Sequence, residues 1–258
     1  MSSTQYGHLP IHTPNKVFLI GDIHNEADKL INLLDQIEPL LTAEDHIVFT
    51  GDLFDRGAQA TETFNELVNL VRRHPDQVFF VRGNHDWMLQ NYLATGSLGW
   101  ISYLIVTLDD WKKSWNLQSV FPEVLRPELI ARGYLAITSR TVPYYETDKL
   151  IATHAPIDLG AYLSHGGNHY KEDYLDRANN PAFTYLLDRM GYDILWTFTD
   201  ENVVISGLDK FRVCGHQAAY SATPRIFRDR AFIDTGAGKG KYPITCLEWP
   251  SKKFYQGK

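Results

Sequence analysis

The chain carries only two cysteines, Cys214 and Cys246, among its 258 residues. Neither has a CxxC neighbour, so a secreted-type disulfide framework and a thiolate zinc site are both excluded, and a reducing compartment is expected. Positive charge is short as well: 25 Lys and Arg against 31 Asp and Glu leave a net charge of -6. The short basic clusters, Arg72-Arg73 and Lys239 to Lys241, are too small to track a phosphate backbone, which argues against long nucleic acid as a partner. No apolar run approaches the ~20 residues of a membrane span. The opening "MSSTQYGHLPIHTPN" has no basic segment followed by an apolar one. A cytoplasmic location without a membrane partner is therefore the expectation. Internal repeats, low-complexity tracts and a linker long enough to separate two domains are also lacking.

What the chain does have is a hydrophobic fraction of 44%, enough to bury one large core or two small ones. "KVFLI" from Lys16 reads as a strand. Leu30, Leu33, Leu34, Ile37, Leu40 and Leu41 then recur at the spacing of one helix face. "HIVFT" is a second strand, Phe64, Leu67, Val68 and Val71 mark a second helix, and "VFFV" is a third strand. This β-α-β-α-β order predicts an α/β architecture in a single domain over residues 1–258. Between Trp87 and Asp148 the pattern loosens and aromatics accumulate, among them Trp100, Trp111, Trp115, Tyr103, Tyr134, Tyr144 and Tyr145. That stretch, about 87–148, reads as a helical insertion whose aromatics fill its own core, with a cap over a site as the alternative. "SHGGNHYKED" reads as a loop entering a helix with Tyr174, Phe183, Leu186 and Leu187. "KLIAT", "FRVC", "RIFR", "AFIDT" and "PITCLEW" read as further strands.

Metal-friendly side chains sit where these strands end. "VFLI" is followed by Gly21-Asp22-Ile23-His24, "IVFT" by Gly51-Asp52, "VFFV" by Arg82-Gly83-Asn84-His85, "LIAT" by His154 and "FRVC" by Gly215-His216. In α/β sheets the carboxyl ends of strands converge on a crevice where sites assemble. Each element alone has an ordinary reading: Gly-Asp as a turn, a lone His as a satisfied polar residue. Their joint occurrence is what points to a site. Oxygen and imidazole donors without thiolate suit borderline divalent ions. The set is too large for one ion with an open position and suits two sharing a carboxylate, the usual clamp for displacement at phosphorus.

These residues resemble the PPP-type (calcineurin-like) metallophosphoesterases. Asp22 and His24 in "GDIH", Asp52, Asp55 and Arg56 in "GDLFDRG", and Arg82 to Asp86 in "RGNHD" match that family's first three motifs, while His154 and Gly215-His216 match its later histidine motifs. The short chain and "RGNHD" resemble the bacterial and phage branch of serine/threonine protein phosphatases. The resemblance implies a β-sandwich flanked by helices. It implies Asp22, His24 and Asp52 as ligands of one ion, and Asp52, Asn84, His154 and His216 as ligands of a second. The expected ions are Mn, with Fe or Zn as alternatives. A metal-activated water would attack phosphorus, His85 would protonate the leaving oxygen with Asp55 orienting it, and Arg56 and Arg82 would hold the phosphoryl oxygens. Asp86 is expected to support this shell.

Two positions depart from the family pattern. Asn25 stands where Gly is usual, and Asn tolerates the left-handed backbone better than most residues. The stretch "DILWTFTDENV" lacks the further phosphate-binding Arg, leaving Arg225 as a replacement. His165 and His169 read as solvated loop residues, and Cys214 as a packing residue. The expected activity is a phosphoric monoester hydrolase acting on phosphoprotein, phosphopeptide or small phosphate esters. Asp55 favours this over hydrolysis of dinucleoside polyphosphates, a reaction the aromatic stretch would suit. A catalytically silent phosphate-binding module is the alternative from another class.

Overall fold

The computed structural model describes residues 13–96, 122–157, 194–198 and 209–258. Two five-stranded sheets pack face to face. The first has the order β10-β9-β1-β2-β3, built from β1 (Val17–Ile20), β2 (His46–Phe49), β3 (Val78–Phe80), β9 (Ile244–Trp249) and β10 (Lys253–Gly257). The second has the order β4-β5-β6-β8-β7, built from β4 (Tyr144–Glu146), β5 (Leu150–Thr153), β6 (Phe211–Cys214), β7 (Arg225–Ile226) and β8 (Arg230–Phe232).

The two faces of β1 explain the layering. Phe18 and Ile20 join a core with Leu30, Leu33 and Leu67 from α1 (Ala27–Ile37) and α2 (Ala60–Arg73). Val17 and Leu19 point the other way, into a core with Tyr145, Leu150, Ala152, Val213 and Ala231 of the second sheet. Side chains alternate across a strand, so a strand buried on both faces reads as a continuous apolar run. Removing one such side chain, as in Leu19→Ala, is expected to cost about 2–5 kcal/mol through transfer and cavity terms together.

Strands β1, β2 and β3 run parallel, with Phe18 opposite Ile47 and Val48 opposite Phe79. Strands β5, β6 and β8 are likewise parallel, with Ala152 opposite Val213 and Val213 opposite Ala231. Each sheet thus sends three parallel strands toward one end, which is what brings distant sequence segments together.

The flanks of the expected helical insertion belong to the main core. Leu89, Tyr92 and Leu93 of α3 (Asn84–Thr95), Leu125 and Leu129 of α4 (Pro122–Ala131), and Tyr134 and Ile137 of α5 (Tyr134–Thr138) share the α1–α2 cluster. Tyr144 and Tyr145 lie in strand β4 rather than in a helix. Trp100, Tyr103, Trp111 and Trp115, the segment with His165 and His169, and the helix expected around Tyr174 to Leu187 lie outside the described residues.

Candidate metal centre

The site forms where the parallel strands end. Asp22, Asp52 and Asn84 follow β1, β2 and β3, while His154, His216 and Asp234 follow β5, β6 and β8. Asp22, His24, Asp52, Asn84, His154 and Asp234 are all buried. The backbone there is held in unusual conformations: His24, Asn25, Asp52, Asp55, Arg56 and His216 all have φ between 51 and 80°. Residues outside glycine adopt this region at an energetic penalty, and such positions gather at functional sites. Asn25 at φ 59° fills the turn that the missing Gly would make. Gly51, at φ 107°, lets the chain pass where a Cβ would lie 2.6 Å from both Gly83 N and His154 Nδ1.

Asp52 is at the centre. Its Oδ2 lies 3.3 Å from His24 Nε2, and its Oδ1 lies 3.4 Å from His154 Nε2. Oδ1 also accepts the backbone N–H of His85 at 3.0 Å, at the N-terminus of α3. Anions are stabilised there by the free N–H groups and the helix dipole. Burial opposes the charge of Asp52, yet the imidazoles of His154, His85, His24 and His216 overcome it and hold the carboxyl well below the ordinary range.

The histidines are oriented by backbone carbonyls. His24 Nδ1 is 3.1 Å from Phe54 O, and His154 Nδ1 is 2.9 Å from Thr50 O. Donation from Nδ1 leaves each Nε2 as the lone-pair nitrogen facing Asp52, the arrangement that metal-binding imidazoles use. Burial keeps both rings neutral, with His24 lowered to about 3 and His154 also lowered. Burial, then the neighbouring His154 ring, lowers His216 to about 3, and its Nε2 is buried without a hydrogen-bond partner. The amide oxygen of Asn84 lies 3.0 Å from His154 Nε2 and faces only acceptors, including the Asp52 carboxylate. Turned the other way, the amide NH2 would reach both Asp52 oxygens at 3.1 Å. With the amide oxygen inward, the lone pairs of Asn84, His154 and Asp52 converge in a buried space, an arrangement that a cation there would compensate. Among the described residues, two groups that could hold an ion have atoms within 4.8 Å of one another: His24, Asp52 and His85, and Asp52, His154 and His216. Asp22 Oδ2 stands 4.0 Å from His24 Nε2. Its oxygens each accept the His216 backbone N–H at 3.1 Å.

His85 has a different environment. Its Nδ1 is 2.6 Å from Asp55 Oδ2 and its Nε2 is 3.1 Å from Arg56 Nη2. A guanidinium against Nε2 occupies the nitrogen that an ion would need, which separates His85 from the other histidines. Burial lowers its affinity for a proton, but Asp52 and Asp55 outweigh this and raise its pKa. Arg82 is buried and anchored, its Nε donating to Thr141 Oγ1 and its Nη2 to Thr141 O, both at 2.9 Å. Arg225 donates to the carbonyl of Gln217, one residue past His216. Asp86 accepts the backbone N–H groups of Leu53 and Gly83 at 3.0 Å each, tying α3 to the turn that carries Asp52. Cys214 is buried, and burial pushes its thiol up, away from nucleophilic thiolate.

Asp234 was not among the residues singled out from sequence. Burial raises its pKa to about 6, and burial followed by the charge of Asp234 raises Asp22 well above the ordinary carboxylate range. The signal was available: "AFIDT" is an apolar run ending in Asp ahead of a Gly-rich turn.

Comparison with known proteins gives the same reading. A family model described as calcineurin-like phosphoesterase matches residues 15–221. Over 75 residues the chain is 33% identical to the serine/threonine-protein phosphatase 4 catalytic subunit of Eremothecium gossypii, covering 29% of this chain and 24% of that one. Over 77 residues it is 38% identical to serine/threonine-protein phosphatase ppe1 of Schizosaccharomyces pombe, covering 30% and 24%. These alignments span about a quarter of the relatives' length. Among solved structures, a cold-active protein-tyrosine phosphatase of a psychrophilic Shewanella has a TM-score of 0.64 at 19% identity, over 95% of this chain and 81% of that one. A structure described provisionally as a diadenosine tetraphosphatase has a TM-score of 0.54 at 16% identity, over 95% of each chain. The family model covers most of the chain and spans the Asp22, Asp52, Asn84, His154 and His216 strand ends, and the chain belongs to the calcineurin-like phosphoesterase family.

Proposed function

We propose that this chain is a metal-dependent phosphoric monoester hydrolase with two divalent ions, one on Asp22, His24 and Asp52 and the other on Asp52, Asn84, His154 and His216. The expected ions are Mn, with Fe or Zn as alternatives, in a single domain at 1–258 carrying an insertion at about 87–148. When bound, two such ions supply Lewis acidity and activate a water near neutral pH. The observation that carries the reading is the placement of His85 between Asp55 at 2.6 Å and Arg56 at 3.1 Å, beside the ligand cluster. Asp55 holds the proton on Nδ1, so that Nε2 faces outward toward Arg56. A phosphoryl group that draws Arg56 onto its own oxygens frees Nε2 to take up a proton from solvent, and the imidazolium so formed can pass that proton to the leaving oxygen. Arg56 matches phosphoryl oxygens through its planar fork. Arg82 is the second clamp, its rotamer fixed by Thr141. Burial of the ligands excludes bulk water from the reacting centre.

The substrate class is a phosphoprotein, phosphopeptide or small phosphate ester. A dinucleoside polyphosphate is the second reading. It is favoured by Phe198, which is 69% exposed with its ring centre 4.7 Å from that of His216 and tilted to it by 51°, where a base could lie against it. The test is turnover of p-nitrophenyl phosphate by protein stripped with EDTA and reloaded with Mn, beside phosphopeptides and diadenosine tetraphosphate. Turnover of p-nitrophenyl phosphate and of phosphopeptide that appears with Mn, and that His85→Ala loses chiefly on the phosphopeptide with its poor alkoxide leaving group, is the expected result. No turnover by protein shown to hold metal would instead leave a silent phosphate-binding module.

A further inference from the structure

The Gly-rich turn that follows β8 closes on the His24 side of the metal centre. A Cβ on Gly238 would lie 2.7 Å from His24 Cβ and 2.9 Å from His24 Cδ2, so glycine alone lets the turn pack against this ring. Asp234 Oδ1 accepts the Gly236 N–H at 2.7 Å, and Lys29 Nζ donates to Gly240 O at 2.7 Å and to Ala237 O at 3.3 Å while pairing with Glu26 at 2.9 Å. Lys29 is thereby committed to the fold. Lys239 and Lys241, in the same turn, are exposed and among the described residues have no carboxylate partner, Lys241 Nζ lying 5.0 Å from the centre of the Tyr242 ring. The loop that leaves His216 meets this turn, the Ala219 N–H donating to Asp234 O at 2.9 Å. Its next residue, Tyr220, is 52% exposed yet holds φ 48°. A bulky residue takes the left-handed backbone at an energetic penalty, and an exposed ring returns little of it through the core. The Tyr220 and Tyr242 ring centres are 6.1 Å apart, and both rings border Gly236, where a Cβ would lie 3.0 Å from one and 3.3 Å from the other.

We propose that Tyr220, Tyr242, Lys239 and Lys241 form a specificity subsite for acidic residues that flank the phosphorylated residue of a peptide substrate. The inference rests on the proposed phosphatase reading of the metal centre. In a chain of net charge -6, two free lysines beside two tyrosines make a local positive and aromatic surface next to that centre. Ammonium groups attract carboxylates as point charges, and the tyrosine rings cover the apolar parts of a peptide chain. An extended peptide advances about 3.3–3.6 Å per residue, so side chains a few positions from the phosphorylated one reach past His24 to this rim. The turn from Gly236 to Tyr242 contains no arginine to grip contiguous phosphates in bidentate fashion, and its two lysines stand apart across Gly240, which suits separate carboxylates better than a polyphosphate.

The experiment measures kcat/KM of Mn-loaded protein on p-nitrophenyl phosphate, diadenosine tetraphosphate and two phosphoserine peptides of equal length, one with aspartates and one with lysines around the phosphoserine. Wild type is compared with the double variant Lys239→Glu/Lys241→Glu, with Tyr220→Asn, and with Lys252→Glu/Lys253→Glu. The last changes net charge equally but lies at the far end of β1, where Val17 pairs with Trp249. In Lys239→Glu/Lys241→Glu the ratio of acidic to basic peptide is expected to fall by about 10-fold, as two exposed ion pairs turn repulsive. The fall should shrink at high salt. Lys252→Glu/Lys253→Glu should keep the wild-type ratio. Tyr220→Asn, whose new side chain tolerates the left-handed backbone, should raise KM for both peptides with kcat retained. All three variants should match wild type on p-nitrophenyl phosphate, which shows that each is folded and active. An unchanged ratio in Lys239→Glu/Lys241→Glu overturns the inference, as does an equal fall in Lys252→Glu/Lys253→Glu. A loss confined to diadenosine tetraphosphate also overturns it, in favour of a polyphosphate. Wild type that holds Mn and turns over none of the four substrates would defeat the proposed function itself, whereas turnover of p-nitrophenyl phosphate without either peptide would defeat only the subsite.

Discussion

The side chains gathered on the two sides of Asp52 differ in charge. Toward β1 and β8 lie His24, 3.3 Å from Asp52 Oδ2, and two further buried carboxyl groups, Asp22 and Asp234. Toward β3, β5 and β6 lie one amide, Asn84, and two neutral imidazoles, His154 and His216, whose rings are 4.9 Å apart. Carboxylates favour harder cations and compensate more charge, while imidazoles suit Zn, Fe and related borderline ions and must be neutral to bind. The two proposed ions are therefore inequivalent, one held mainly by charge and the other mainly by nitrogen lone pairs. Among the proposed ligands Asp52 alone is assigned to both, and its Oδ1 accepts a backbone N–H at the N-terminus of α3.

The comparison breaks most completely at that shared residue. Asp52→Asn is expected to empty both sites and lower turnover by more than the roughly 10–100-fold typical of an outer partner. Elemental analysis after desalting, run beside the turnover assay, checks this; two ions retained in Asp52→Asn would remove the bridge. Replacements on one side should act more selectively. His216→Ala is expected to reduce bound Mn from two ions to one, and Asp22→Asn to do the same on the opposite side. Equal loss of both ions from either variant would mean that the sides bind as one unit.

A smaller effect separates the histidines. The pKa of His85 is raised by Asp52 and Asp55, so its protonated form persists above the ordinary value and is lost as pH rises through the raised one. Turnover that depends on His85 as an acid should therefore fall on the alkaline side of the profile. Asp55→Asn removes one of the raising charges, and the alkaline limb should move to lower pH, with kcat on poor leaving groups down by roughly 10²–10⁴-fold as for a lost acid catalyst. His24 and His216 are shifted the opposite way, to about 3, and should contribute no limb in that range. A profile unchanged in Asp55→Asn would count against the assignment.

Much of this arrangement was legible in the sequence because the strand ends carry their own markers. An apolar run, a glycine and then Asp, Asn or His recurs at Asp22, Asp52, Asn84 and His216, and β1, β2, β5 and β6 fell where apolar runs predicted them. Strand β4 was missed because Tyr144, Tyr145 and Glu146 are all buried and so show no alternation to set them apart from the neighbouring aromatics. Strand β10 is an edge strand of partly exposed residues, and edge strands carry the weakest hydrophobic signal. The α3 start at Asn84 was weakly marked because its N-cap, Gly83, has no side chain to cap with, and only Asp86, accepting the Gly83 N–H, signals it. Asn25 could be expected to take the left-handed backbone. His24, Asp52, Asp55, Arg56 and His216 could not, because in such residues tertiary contacts rather than local preference impose it. Asp234 carries no local marker because the strand end it lies beside, at Gly21, is more than two hundred residues away in the chain.

The smallest expected effect lies at the rim of the nitrogen-rich side. Phe198 is 69% exposed and rests on the His216 ring at 4.7 Å, so it contributes little to the core, and Phe198→Ala should leave the melting temperature nearly unchanged. An aromatic leaving group stacking on it would gain about 0.5–1.5 kcal/mol beyond area burial. That corresponds to a KM for p-nitrophenyl phosphate higher by roughly 2–10-fold in the variant, with kcat retained, because the contact is made equally in ground and transition states. An alkyl phosphate has no ring to stack, and its KM should not move. A shift for both substrates would mean that Phe198 acts through His216 and its ion, and the two sides of Asp52 would then differ in how exposed their ligands are as well as in charge.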